Sequence, residues 1–90
     1  MSKAVVDPSE LRRFAGNLKQ FNAEIGRQLA LLNSQFASLG ESWRDQEHDR
    51  FSDQFHETMR MFQKFVEVSQ QHIPFLLRKA ERIEEYLQQR

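Results

Sequence analysis

From Phe55 onward one row of residues repeats without a break: Phe55, Met59, Phe62, Val66, Ser69, Ile73, Leu76, Ala80, Ile83, Leu87, in steps alternating four and three. A 3.5-residue spacing sustained this long predicts one extended helix with a single packing seam. A helix with such a stripe has to bury it against another element. The first half of the chain supplies one. Leu11, Phe14, Leu18, Phe21, Ile25, Leu29, Leu32, Phe36 and Leu39 also recur at three or four residues, the period of an amphipathic helix. Asp7-Pro8-Ser9-Glu10 marks its start, with a cap acceptor, a proline at the first helical position and an acid three residues after the cap. Gly16 and Gly26 each cost about 1 kcal/mol relative to Ala and are tolerated. Gly40 is expected at C′ as the stop. No stretch alternates with period two. The chain is expected to be all-α, an antiparallel two-helix hairpin forming a single domain over 1–90. Helix one covers about 8–38, the turn about 39–45, and helix two about 45–89 with a kink near Pro74.

Ninety residues make one small domain whose own core is marginal. If residue 38 faces residue 45 across the turn, Pro8 falls opposite Phe75, and residues 75–89 are left without a partner in the chain. A further apolar column flanks the seam: Phe51 and Phe65, then Met61, Val68 and Phe75, with Leu76 beside it. One internal interface cannot cover a stripe this wide. The expectation is a homodimer, an elongated four-helix bundle, with Phe51, Met61, Phe65, Val68, Phe75 and Leu76 in the interface; the alternatives are a monomer with exposed aromatics and a heterodimer or other assembly.

Thirteen basic residues balance thirteen acidic ones. That zero net charge argues against nucleic-acid binding, which relies on a positive field. The absence of Cys excludes disulfides, thiol nucleophiles and Cys-ligated zinc. Neither a signal-peptide h-region nor an 18-residue apolar run occurs, so membrane insertion is not expected. Asp53-Gln-Phe-His56 has the acid-x-x-His spacing of carboxylate-bridged metal sites, and Asp49 shares its face, but helix one offers no matching ligands. With Asp45, Glu47, His48 and Glu57 these residues read as a solvated acidic face near a helix N-terminus, and His72 reads as a half-buried neighbour of Phe65. No triad order or phosphate loop appears. Neither catalysis nor a cofactor or metal is expected. The one tryptophan, Trp43, lies at the turn, where a ring with one wet edge can both close the hairpin and anchor a partner.

A helical hairpin of this length, without Cys or signal peptide and with Ser42-Trp43-Arg44-Asp45 at its centre, resembles the WXG superfamily, the ESAT-like proteins linked to type VII secretion. Phe51 downstream of the tryptophan and the character of both helices extend the likeness over the whole chain. Asp45 stands where the family pattern has Gly. Both residues cap helices well, and Asp adds an acceptor; Ser42 with Asp45 as a capping box is an equal local solution. The family's Tyr-x-x-x-acid signal finds only Tyr86, with Arg90 at the acidic position. The resemblance implies a non-enzymatic interaction module, recognised through the turn and through Tyr86 and Leu87 of the tail, with a secretion ATPase or a larger secreted protein as a further partner; Tyr86 reads equally as an ordinary interface residue. It places the chain in the cytoplasm or outside the cell without a cleavable signal peptide. The alternative is a cytosolic adaptor or dimeric scaffold of the same fold that is not exported.

Overall fold

A computed structural model describes residues 6–89. They form two helices, α1 (Pro8–Leu39) and α2 (Gln46–Gln88), with no strand among the described residues. The helices run antiparallel in a rod of 69 × 23 × 18 Å, the expected all-α hairpin.

Each helix begins on an aspartate. Asp7 accepts hydrogen bonds from the Ser9 backbone N–H and hydroxyl, both at 2.9 Å, and these bonds hold its carboxyl below the ordinary aspartate value. Asp45, extended at φ −94°, accepts the His48 backbone N–H at 3.0 Å. It therefore satisfies one of the orphan donors of α2, and Glu47 and Asp49 in the first turn complement the helix dipole. The Ser42 hydroxyl instead turns back to the Leu39 carbonyl at 3.4 Å, so the cap is Asp45 alone. Replacing Asp45 by Ala is expected to cost about 0.5–2 kcal/mol in denaturant melts, and by Gly only a few tenths; equal losses would refute the cap.

The end of α1 departs from the expectation for Gly40. Gly40 is the cap itself, at φ −66° and ψ −11°, not a left-handed C′ residue. The chain winds onward through short turns, with the Trp43 N–H returning to the Leu39 carbonyl at 3.0 Å. At the other break point, α2 continues through Pro74 as helix.

The register corrects the sequence reading. Asn22 lies opposite Ser69, bonded at 2.9 Å, and the Arg12 guanidinium grips the Glu84 carboxylate through two bonds of 2.9 and 2.7 Å. Pro8 therefore does not face Phe75, and residues 75–84 have α1 beside them. Ala80 is fully buried, and Phe75 and Leu76 share a hollow with Phe14 and Leu18. The cause is the turn. Trp43 packs back against His48 and Phe51, so the first turns of α2 run past the end of α1 and the tryptophan covers them. The Arg12–Glu84 pair depresses the Glu84 carboxyl and raises the Arg12 guanidinium. Both groups are water-exposed, so screening keeps the pair weak.

Among the described residues few side chains are buried in so thin a rod: Ala15, Met59 and Ala80, with Asn22 and Ser69 as polar partners. Many large apolar residues remain half exposed.

Candidate functional site

The tip of the hairpin is an aromatic cluster built from three segments. Phe36 of α1 is its centre. Its ring stacks on His48 at 5.2 Å and 5°, and meets Phe55 at 4.9 Å, Phe51 at 5.7 Å and the edge of His56 at 5.7 Å. Trp43, from the turn, stands edge-on to His48 at 5.1 Å and tilted against Phe51 at 5.9 Å. The indole is half-buried: α2 shelters part of it, and Phe36 supports it indirectly, through His48 and Phe51. Ser42 and Asp45 flank it in the open, one bonded back to α1 and the other capping α2.

The sequence puts His48 on the solvated acidic face; the structure instead places it inside the cluster. Its Nε2 is buried without a hydrogen-bond partner among the described residues, and its Nδ1 is 3.7 Å from the Asp49 carboxylate. A side chain at Gly40 would come within 3.5 Å of this Nε2. The signal was present: His48 and Phe51 stand seven and four residues before Phe55, which carries the α2 seam back to the first turn.

A second feature runs along the rod. Two shallow hollows, of about 340 and about 400 Å³, lie on either side of Phe65 and share it as a common wall. The first is formed by Phe14 and Leu18 with Val68, Phe75 and Leu76, the second by Phe21 and Ile25 with Met61 and Phe62. Both are almost purely apolar. Phe21 meets Phe65 edge-to-face at 6.2 Å where they join. Met61 is 67% exposed, Phe75 57% and Phe65 49%. Five of the six residues named from sequence for an interface thus lie along one groove, while Phe51 belongs to the tip. His72 borders the first hollow beside Phe65 but is exposed, not half-buried. A larger hollow of about 640 Å³, with Gly26 and Ala30 opposite Met59, has a polar rim of His56, Arg60, Gln63 and Glu67.

Tyr86 and Leu87, at the far end from the tip, are exposed, Tyr86 by 71%. They share no surface with Trp43 within one chain, because the length of the rod separates them. The His56 Nδ1 lies 3.3 Å from the Ser52 hydroxyl, and no group of three or more acidic or histidine residues among those described is placed to hold a metal. No helix among the described residues is long and apolar enough to cross a membrane.

The family model WXG100, described as proteins of 100 residues with WXG, matches residues 4–86. Solved structures of the secreted protein EsxB from Bacillus anthracis share the fold. The wild-type form is 26% identical, covers 91% of this chain and 94% of its own, and superposes with a TM-score of 0.76. Two single-substitution forms are 26% and 25% identical, with TM-scores of 0.79 and 0.77. The first covers 96% of each chain; the second covers 93% of this chain and 97% of its own. No curated protein matches the chain.

Proposed function

Because this chain belongs to the WXG100 family, we propose that it is a small secreted interaction protein of a type VII-like system. Two copies pair through the aromatic groove, and the tip and tail are presented to a larger partner such as a secretion ATPase or a bigger exported protein. The observation that carries the reading is the family match, which spans both helices and the tryptophan turn. The secreted EsxB structures, matched over nearly their whole length, agree with it.

The groove supports a second copy as its occupant on two grounds. Its exposed aromatics lie around the middle of the rod, so a copy rotated by a half-turn brings its own groove onto the same place. The charge also fits an antiparallel copy. Residues 41–57 hold six carboxylates against two arginines while the chain is neutral overall, so the remainder carries the matching positive excess. An acidic tip laid on the opposite end of its partner is attractive, whereas tip on tip repels. In that arrangement each copy's Trp43 comes near the other's Tyr86 and Leu87, and the tip and tail form one composite surface at each end of the bundle.

Asp45 and Arg90, where the family pattern has Gly and an acid, favour a second reading, an adaptor of the same fold that stays in the cell. Export separates the two. An epitope-tagged chain expressed in a host with a type VII-like system is expected in the culture supernatant, and Trp43→Ala is expected to abolish its appearance there. The variant should remain folded, because truncating a half-buried ring costs about 1–3 kcal/mol, less than the roughly 3–5 kcal/mol of a fully buried one. Export of Trp43→Ala at the wild-type level would remove the tip from recognition. A wild-type chain retained in the cell would leave the adaptor.

A further inference from the structure

Both seams repeat every seven residues, so the apolar side chains of α1 and α2 can interlock in registers a heptad apart. Something that differs between layers has to choose among them. Arg12–Glu84 is exposed and screened, a weak discriminator. Inside the seam the distinctive layer is polar. Asn22 and Ser69 are each 4% exposed, and the Asn22 Nδ2 donates to the Ser69 hydroxyl at 2.9 Å. Asn22 follows Ala15 and precedes Leu29 at seven-residue spacing; Ser69 stands likewise between Phe62 and Leu76. A slip of one heptad sets Asn22 against Phe62 or Leu76 and Ser69 against Ala15 or Leu29. None of these side chains offers a hydrogen bond, and a buried amide and hydroxyl are then both unpaired, which is heavily penalised.

We infer that the Asn22–Ser69 hydrogen bond is the register key of the hairpin and, through the register, the element that assembles the aromatic groove. The groove draws Phe14 and Phe21 from α1 and Met61, Phe65 and Phe75 from α2. A heptad slip carries one set about 10 Å past the other and divides it. The key is held at a cost in stability: the Asn22 Oδ1 is buried with no partner among the described residues, which an apolar layer would avoid. Single polar residues in helical seams fix register elsewhere on the same terms. The consequence for the groove rests on the pairing reading above; the register itself does not.

The chain has no Cys, so nitroxide labels at Arg27→Cys and Arg78→Cys, both exposed and well separated along the rod, report register by pulsed electron resonance. Dilution with unlabelled chain leaves only intrachain distances. The labelled protein with Asn22 and Ser69 intact should give one distance. Adding Asn22→Leu with Ser69→Ala should give two, about 10 Å apart, at an equal or higher melting temperature. The exchanged pair, Asn22→Ser with Ser69→Asn, should return to one. A single native distance in the Leu/Ala variant, or two distances in the exchanged pair, would overturn the inference. Because the distance is intrachain, the test holds whether the protein sediments as monomer or dimer, and monomeric wild-type protein would count against the pairing alone.

Discussion

Phe65→Glu is expected to convert the protein from a dimer to a monomer. In sedimentation equilibrium at tens of micromolar, the wild-type chain should run at twice its 10.8 kDa and the variant at 10.8 kDa. Phe65 is the wall common to both hollows and lies near the middle of the groove, so a symmetric partner has to cover it. Losing a central aromatic anchor costs about 2 kcal/mol or more, and symmetry counts the loss twice. Some 4 kcal/mol corresponds to roughly a thousandfold weaker association, before the two glutamates repel. Phe65 also touches Phe21 within the hairpin, so a second variant separates dimerisation from folding. Met61→Glu alters the more exposed side chain of the same groove and should dissociate the dimer with helicity unchanged. A wild-type monomer, or a Met61→Glu dimer as tight as wild type, would end the pairing proposal.

The seams and caps were legible because each rests on local chemistry: a 3.5-residue period, Asp7 before Pro8, Asp45 before the second run. The register was not. Counting loop residues assumes that the chain leaves one helix and enters the next at the same level, but the turn here folds back so that Trp43 lies on His48 and Phe51. Period alone cannot reveal an offset close to its own repeat length. The residues that specify the register are the ones an apolar pattern passes over. Asn22 occupies a seam position of α1 without being apolar, and His48 does the same in α2 beside acids that made it look solvated. Periodicity identified the surfaces, and polar exceptions to it identify how they are aligned.

Those exceptions also rank the tip residues, and the ranking can be measured. Phe36→Ala is expected to be the most damaging single change at the tip. The Phe36 ring touches four others, and it is the member of the cluster that α1 contributes, so its removal disconnects α1 from the start of α2. A partly exposed phenylalanine in this role should cost about 3 kcal/mol, the lower end of the range for buried aromatic truncations. At roughly 4–8 °C per kcal/mol for a domain of this size, the melting temperature falls by about 12–24 °C. The sole tryptophan reports the same event optically. His48 stacks on Phe36 and supports the indole from below, so Phe36→Ala should shift Trp43 emission to the red and open it to quenchers even below the melting range. Trp43→Ala should cost less, because its ring is the outer layer of the cluster, half-buried against His48 and Phe51 and without a direct contact to the Phe36 ring. This order of losses separates a residue that holds the tip together from one that the tip displays. If Trp43→Ala proves the more destabilising, the indole is a structural plug, and its place in partner recognition has to be given up.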